Sequence, residues 1–107
     1  MEKETSAFNV FVSQPHKGRT WNDMEATSAE LMEKVREGHP EAEEVKMLKP
    51  YQFNGQHPVY YLAFNLQMMC QADLVVFAPD WWTSKACCIE HDICELYGIP
   101  YKEGTFL

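Results

Sequence analysis

Apolar residues occur in short blocks along this chain, and four of these blocks predict β-strands. Phe8–Ser13 is an apolar run that ends in a polar turn. Asp73–Phe77 is a continuous apolar run, which is typical of a buried parallel strand. Glu44–Leu48 and Ile99–Tyr101 are shorter candidates, and each lies next to residues that favour turns. We therefore expect four strands that are well separated along the sequence.

Helical spacing of apolar residues predicts three helices between these strands. They cover residues 20–38, 58–70 and 84–97, and the first and third open with a Thr or Ser that can cap a helix. Pro58 suits the first position of the second helix, and Gly98 ends the third. The order β-α-β-α-β-α-β predicts one α/β domain over residues 1–107, with a parallel sheet covered by helices.

The net charge of the chain limits the classes of partner that we expect. Of 107 residues, 9 are Lys or Arg and 16 are Asp or Glu, which gives a formal net charge of −7. We expect neither a nucleic acid polymer nor a membrane as a partner, because both need a concentrated basic surface. No segment has the ~20 apolar residues that cross a bilayer, and residues 1–9 lack the pattern of a signal peptide. We therefore expect a cytoplasmic protein whose cysteines are packed thiols.

Two turns are the expected places for a ligand, because parallel α/β sheets bind ligands at the carboxyl ends of their strands. These turns are residues 13–19, after the first strand, and residues 78–84, after the third. A helix start offers free N–H groups to an anion such as phosphate. The residues that could build such an anion site are Ser13, Lys17, Gly18, Arg19 and Ser84.

Glu90 interrupts the apolar face of the third helix. At 100° per residue, Ala86, Ile93 and Tyr97 lie within about 60° of it. Burying an unpaired carboxylate is costly, and helical side chains lean toward the helix N-terminus, so Glu90 is expected to point toward Ser84 and the mouth of the sheet. A perturbed carboxylate in a cleft is a candidate functional group. The alternative is that Glu90 pairs with a buried hydroxyl or Arg and has no further role.

Several short motifs follow one another in an informative order. They are Ser13-x-Pro15-x-x-Gly18, then Ala72-Asp73 at the third strand, then Trp81-x-x-Ser84-x-Ala86-x-x-x-Glu90, and then Gly98-Ile99-Pro100. In this order and spacing they resemble the nucleoside 2-deoxyribosyltransferase-like superfamily. The closest branch is its set of small bacterial and phage domains, many without assigned function. The resemblance covers about residues 8–102.

The resemblance implies a fold and a chemistry. The fold is a three-layer flavodoxin-like or Rossmann-like α/β structure, with a parallel sheet of about four to five strands and helices on both faces. The chemistry is cleavage or transfer of the N-glycosidic bond of a nucleoside or nucleotide, with Glu90 as the nucleophile and Asp80 as a candidate helper. Related deoxynucleoside-monophosphate hydrolases carry a Ser six residues before the glutamate, as Ser84 stands here, and it would hold the phosphate. The other expected substrate-binding residues are Ser13, Gln14, Pro15, Gly18, Arg19 and Trp81.

Three positions depart from the family's pattern. Phe11 lies in the strand where transferases commonly carry a Tyr that orients the nucleophile, and Phe cannot hydrogen-bond a carboxylate. Gln14 stands where many relatives have Gly, and Ser84 falls near an Asp that binds the sugar in transferases. These differences fit a nucleotide hydrolase, or a non-catalytic nucleotide-binding or interaction module of the same fold.

A zinc-stabilised structural protein is the remaining alternative. Cys87, His91 and Cys94 fall at i, i+4 and i+7 on one helix and could bind zinc together with Cys70, although a Cys-rich helix face is more often core. The resemblance itself implies no metal and no cofactor. It implies a small-molecule nucleoside or nucleotide as the ligand and a homo-oligomer as the assembly.

Overall fold

The core of the protein is a sheet of four parallel strands. The computed structural model describes residues 7–49, 55 and 57–107. The strands are β1 (Ala7–Ser13), β2 (Glu44–Met47), β3 (Leu74–Phe77) and β4 (Tyr101–Glu103). Their order across the sheet is β2-β1-β3-β4, and every neighbouring pair is parallel. This arrangement confirms the predicted α/β class and is consistent with a three-layer flavodoxin-like or Rossmann-like fold.

Three α-helices connect the strands at the predicted places. They are α1 (Trp21–Gly38), α2 (Pro58–Met69) and α3 (Lys85–Tyr97). Two short 3₁₀-helices, Trp81–Thr83 and Gly104–Phe106, complete the elements of the described residues. The first of them fills the turn between β3 and α3, which the sequence pattern did not separate from the helix.

The helix ends follow from local side-chain chemistry. Thr20 and Asp23 form a reciprocal capping box at the start of α1. Ser84 caps α3 by accepting a hydrogen bond from the backbone N–H of Cys87 at 3.2 Å. Gly98 ends α3 in the left-handed region at φ 71°, where a residue without a Cβ is favoured. These caps fix where α3 begins, and therefore which of its residues face the sheet.

The alternation of side chains along β1 divides the core into two parts. Val10 and Val12 pack on one face against residues of α1. Phe11 points to the opposite face and packs in a cluster that includes Met69 of α2 and Cys94 of α3. The protein therefore has α1 on one side of the sheet and α2 and α3 on the other.

The last strand lies two residues later than the predicted Ile99–Tyr101. Pro100 has no N–H to give to a strand ladder, although its carbonyl oxygen accepts a hydrogen bond from Val75 at 2.9 Å. Regular pairing with β3 begins at Tyr101, opposite Val75, and continues to Glu103. The sheet edge is thus formed by more polar residues than the pattern suggested.

The structure bears on the expectations about membrane spans and about the cysteines. Within the described ranges, no helix is long and apolar enough to cross a membrane. All four cysteines are free, and Cys87 and Cys94 are packed thiols as predicted. Cys70 differs, because it lies exposed at the end of α2.

Candidate functional site

A cavity of about 250 Å³ opens at the carboxyl end of β1, between the first turns of α2 and α3. The chain leaves β1 toward α1 on one face of the sheet and leaves β3 toward α3 on the other, so this is the switch point where such folds bind ligands. The polar and ionisable groups that line it include Ser13, Gln14, His16, Lys17, Tyr61, Asn65, Ser84, Cys87 and Glu90.

The Glu90 carboxylate lies in the wall of this cavity. Its side chain faces the sheet, as the helical spacing predicted, and the residue is only 2% exposed. Ser13 Oγ donates a hydrogen bond to Oε1 at 2.5 Å, and Asn65 Nδ2 donates one to Oε2 at 3.1 Å. Among the described residues, no cationic side chain forms an ion pair with it. Two neutral donors thus hold both of its oxygens.

Burial shifts the acidity of Glu90. Removal from water raises the pKa of its carboxyl group above the ordinary value, and the hydrogen bonds from Ser13 and Asn65 oppose this rise. The ionised form is therefore disfavoured by the apolar surroundings and depends on those two donors. A positively charged group entering the cavity would favour ionisation.

Ser84 brings the start of α3 to the same cavity. Its hydroxyl oxygen caps the helix, and both Ser84 and Ala86 line the cavity wall. The N-terminal end of a helix carries a partial positive charge, and Lys17 adds a full charge to the lining. This part of the cavity can accept an anionic group.

Cys87 forms another part of the wall, beside the two serines. Burial raises the pKa of its thiol to about 11, although hydrogen bonds with Ser13 and Ser84 act in the opposite direction. The thiol therefore stays protonated at neutral pH, and its nucleophilic thiolate form is rare. Glu90 is the better candidate for a nucleophile here.

No protein-family model, curated protein or solved structure matches this chain. The resemblance to the deoxyribosyltransferase-like superfamily therefore stays a prediction that rests on the motifs.

The structure brings some of the predicted site residues together. Ser13, Gln14, Ser84 and Glu90 all line the cavity. Pro15 is buried beside it but does not line it. Gly18, also outside the lining, turns the chain at φ 76°, a conformation that favours glycine. The turn after β1 thus contributes through Ser13 and Gln14, with Gly18 shaping its path.

Arg19 points away from Glu90 and fastens the turn to α1. Its guanidinium donates to the Gln14 side chain at 3.2 Å, to the Pro15 carbonyl at 3.3 Å and to the Asp23 carbonyl at 3.1 Å. A further hydrogen bond goes to Thr27. With these partners Arg19 orders the turn, and it lines a different cavity on the α1 side.

Asp80 and Trp81 also lie outside the Glu90 cavity. Asp80 lines the α1-side cavity together with Arg19. Trp81 stacks on His91, with ring centroids 4.0 Å apart and planes 3° apart, and His91 in turn bonds Glu103 at 3.0 Å. The chain turns sharply after β3, which sends Asp80 to one side and folds Trp81 back onto α3. A direct role of either residue at Glu90 finds no support in this geometry.

Asn65 belongs to the site, although the sequence pattern did not identify it. It lies on α2 between apolar residues, in the same kind of position that drew attention to Glu90 on α3. A polar side chain within the apolar face of Tyr61, Phe64 and Met68 was the available signal. The sequence pattern could not identify Glu90 as the partner of Asn65, because the two residues lie 25 positions apart.

The residues considered for zinc do not form a ligand set. Among the described residues, no three His, Cys, Asp or Glu side chains are grouped closely enough to hold a metal ion. Cys87 lies in the cavity wall, His91 is bonded to Glu103, and Cys70 is exposed at the end of α2. The zinc alternative therefore has no structural basis in this part of the chain.

Proposed function

We propose that this protein cleaves the N-glycosidic bond of a nucleoside or nucleotide, with Glu90 as the nucleophile. The observation that carries the proposal is a buried carboxylate, held by Ser13 and Asn65, in the wall of a cavity at the switch point of the sheet. The hydrogen bond from buried Ser13 is also the pairing expected of a structural carboxylate. The position of Glu90 in a cavity wall supports the functional reading, because perturbed carboxylates that line small-molecule cavities are concentrated at functional sites.

The proposed reaction has two steps. A carboxylate oxygen of Glu90 attacks the anomeric carbon of the sugar, the bond to the base breaks, and the base leaves with the bonding electron pair. Water then attacks the glycosyl ester, which frees the sugar and restores the carboxylate, while the water's proton passes to solvent. An acceptor base in place of water would make the same reaction a transfer. Ser13 and Asn65 fix the carboxylate so that its free lone pairs face the sugar.

The start of α3 supports a nucleotide as the substrate. Ser84 and the N-terminal turn of the helix, with Lys17 across the cavity, form a site suited to a 5′-phosphate. A phosphate bound there would hold the sugar near Glu90, which lies six residues, or about 1.7 helical turns, after Ser84. We therefore propose deoxynucleoside monophosphates as the first substrates to test.

Release of free base tests the proposal. Purified protein is incubated with deoxynucleosides and deoxynucleoside monophosphates, and the products are separated by chromatography. We expect base release by the native protein, its loss in Glu90→Gln, and its retention in Asp92→Asn, a control carboxylate exposed on the same helix. Because attack needs the ionised carboxylate, the rate should rise with pH through the raised pKa of Glu90. Base release that persists in Glu90→Gln would contradict the assignment.

A non-catalytic nucleotide-binding module is the second candidate. Phe11 favours it, because this buried residue lines the cavity where transferases of the superfamily place the Tyr that orients the nucleophile. Burial of Glu90 favours it as well, because the protonated carboxyl group is not a nucleophile. Saturable binding of a deoxynucleotide by calorimetry, with no base released over many hours, would support this candidate over the enzyme.

Two broader expectations stay predictions. Sedimentation velocity tests the homo-oligomer that the resemblance implies. Cell fractionation tests the cytoplasmic location.

A further inference from the structure

The surroundings of Glu90 point to a particular class of substrate, provided that the proposed function holds. We propose that the site prefers N-glycosides whose base carries a positive charge, such as a purine alkylated at ring nitrogen 7 or a pyridinium. Two independent features of the cavity support this preference. One is the buried charge of Glu90, and the other is the supply of protons for a departing base.

The first feature is electrostatic. Glu90 is buried and is held by two neutral donors, so a cation close to it would relieve an unfavourable charge. Lys17 and His16 line the cavity on the β1 turn, yet neither forms an ion pair with Glu90 among the described contacts. An opposite charge within about 4–6 Å favours an ionised carboxylate by about tenfold to a thousandfold. A cationic base would therefore both bind the carboxylate and keep it ready to attack.

The second feature concerns the leaving group. When the glycosidic bond breaks, its electron pair moves to the base, so a neutral base becomes an anion that needs a proton. A cationic base becomes neutral and needs none. Glu90 supplies the one carboxyl group among the described residues that line the cavity, and it is occupied as the nucleophile.

Two polar side chains of the cavity, Asn65 and His16, are poor proton donors. Asn65, at the second oxygen of Glu90, carries an amide that does not give up a proton. Although much of His16 is exposed, partial burial and the Arg19 charge lower the pKa of its imidazole, so it is mostly unprotonated at neutral pH. The described residues of the lining thus offer neither a second carboxyl group nor a protonated imidazole to the departing base, which suits a base that leaves as a neutral molecule.

Binding measurements test the electrostatic argument without any turnover. The probes are 7-methyl-2′-deoxyguanosine 5′-monophosphate and 2′-deoxyguanosine 5′-monophosphate, compared by calorimetry at about pH 6, where the methylated ring keeps its charge. We expect the native protein and Asp92→Asn to bind the methylated probe at least about tenfold more tightly, and Glu90→Gln to lose this preference. Equal affinity of the native protein for the two probes would overturn the inference.

Asn65→Asp tests the leaving-group argument. Its carboxyl group would lie beside that of Glu90, and two carboxyl groups that share a site retain a proton between them. We expect this variant to release guanine from the unmethylated nucleotide at least about tenfold faster than the native protein, with little gain on the methylated one, measured against a protein-free control for spontaneous loss of base. Equal gains on both substrates would overturn the argument.

The same assays separate the inference from the function on which it rests. If the native protein releases unmethylated and methylated bases with equal efficiency above the spontaneous rate, the enzyme stands and the preference is wrong. If neither base is released faster than in Glu90→Gln, the proposed function is wrong, and the inference is overturned with it.

Discussion

Ser13→Ala tests the hydrogen bond on which the placement of Glu90 depends. Ser13 is 2% exposed, and its Oγ donates to Glu90 Oε1 at 2.5 Å. A hydrogen bond to a charged group contributes about 1.5–3 kcal/mol to stability, and one between neutral groups about 0.5–1.5 kcal/mol. We therefore expect the variant to lose about 1.5–3 kcal/mol of unfolding free energy where Glu90 is ionised, and about 0.5–1.5 kcal/mol where it is protonated.

The direction of the pH dependence follows from the acidity of Glu90. The hydrogen bond from Ser13 lowers the pKa of this carboxyl group against the effect of burial, so removing it raises the folded-state pKa further. The unfolded chain then ionises before the folded one over a wider range of pH. The destabilisation of Ser13→Ala should accordingly grow as the pH rises through that range.

Urea denaturation at about pH 4 and about pH 8 measures the change in this loss between the two, provided that the slope of each transition is unchanged. Ser28→Ala is a matched control, because Ser28 is also buried but its Oγ accepts a hydrogen bond from Gln14 Nε2 at 2.8 Å. The control should lose the same amount of stability at both pH values. A loss in Ser13→Ala that does not change with pH, or does not exceed that of Ser28→Ala at the higher pH, would refute the reasoning.

Three further predictions concern other parts of the molecule. The stability of the native protein should fall as the pH rises from the ordinary carboxyl pKa of 4.5 toward the raised pKa of Glu90, because this carboxyl group ionises first in the unfolded state. Thermal denaturation measures the fall, and Glu90→Gln should lack it. Gly104→Ala should lower the free energy of unfolding in urea by about 1–3 kcal/mol, because a Cβ there would lie 2.9 Å from both a leucine of α1 and a carbonyl oxygen of β3. Gly38→Ala should cause no such loss, because a Cβ at Gly38 meets open space. Ellman's reagent should modify exposed Cys70 in the native protein and buried Cys87 only after unfolding, since burial raises the pKa of the Cys87 thiol to about 11.

Each of these predictions has a clear contrary result. A fall in stability that persists in Glu90→Gln would assign the titration to another group. Equal stability of Gly104→Ala and Gly38→Ala would contradict the close packing at the end of β4. Equally fast modification of Cys70 and Cys87 would show that the cavity wall on α3 opens readily.

The position of Glu90 could be predicted because its determinants are local. Helical spacing decides which face of α3 is apolar, and the cap at Ser84 with the stop at Gly98 sets the ends of that helix. The buried strand β3 could be predicted for the same reason, since its four consecutive apolar residues allow few other environments. Local chemistry of this kind led to both the fold class and the candidate nucleophile.

The partners of the site depend on contacts between distant segments. Asn65 reaches Glu90 only because α2 and α3 pack side by side on one face of the sheet. Arg19 was expected at the ligand, but carbonyl and hydroxyl groups of its own turn and of α1 take its donors. Trp81 was expected to meet a base, but stacking on His91 holds its ring against the protein. Competition of this kind cannot be seen from spacing along one segment.

The alternation along β1 has a consequence for how this domain can change. Val10 and Val12 pack on the α1 side, while Phe11 and Ser13 face the cavity side. The same alternation therefore sets both the packing against α1 and the position of the hydroxyl that binds Glu90. Inserting or deleting one residue in this strand would move the side chains on one side of the change to the opposite face. The strand can therefore change by replacement of single residues more readily than by a change in length. A change in length would displace the hydrogen bond from Ser13 to Glu90 or the packing of Val10 and Val12 against α1.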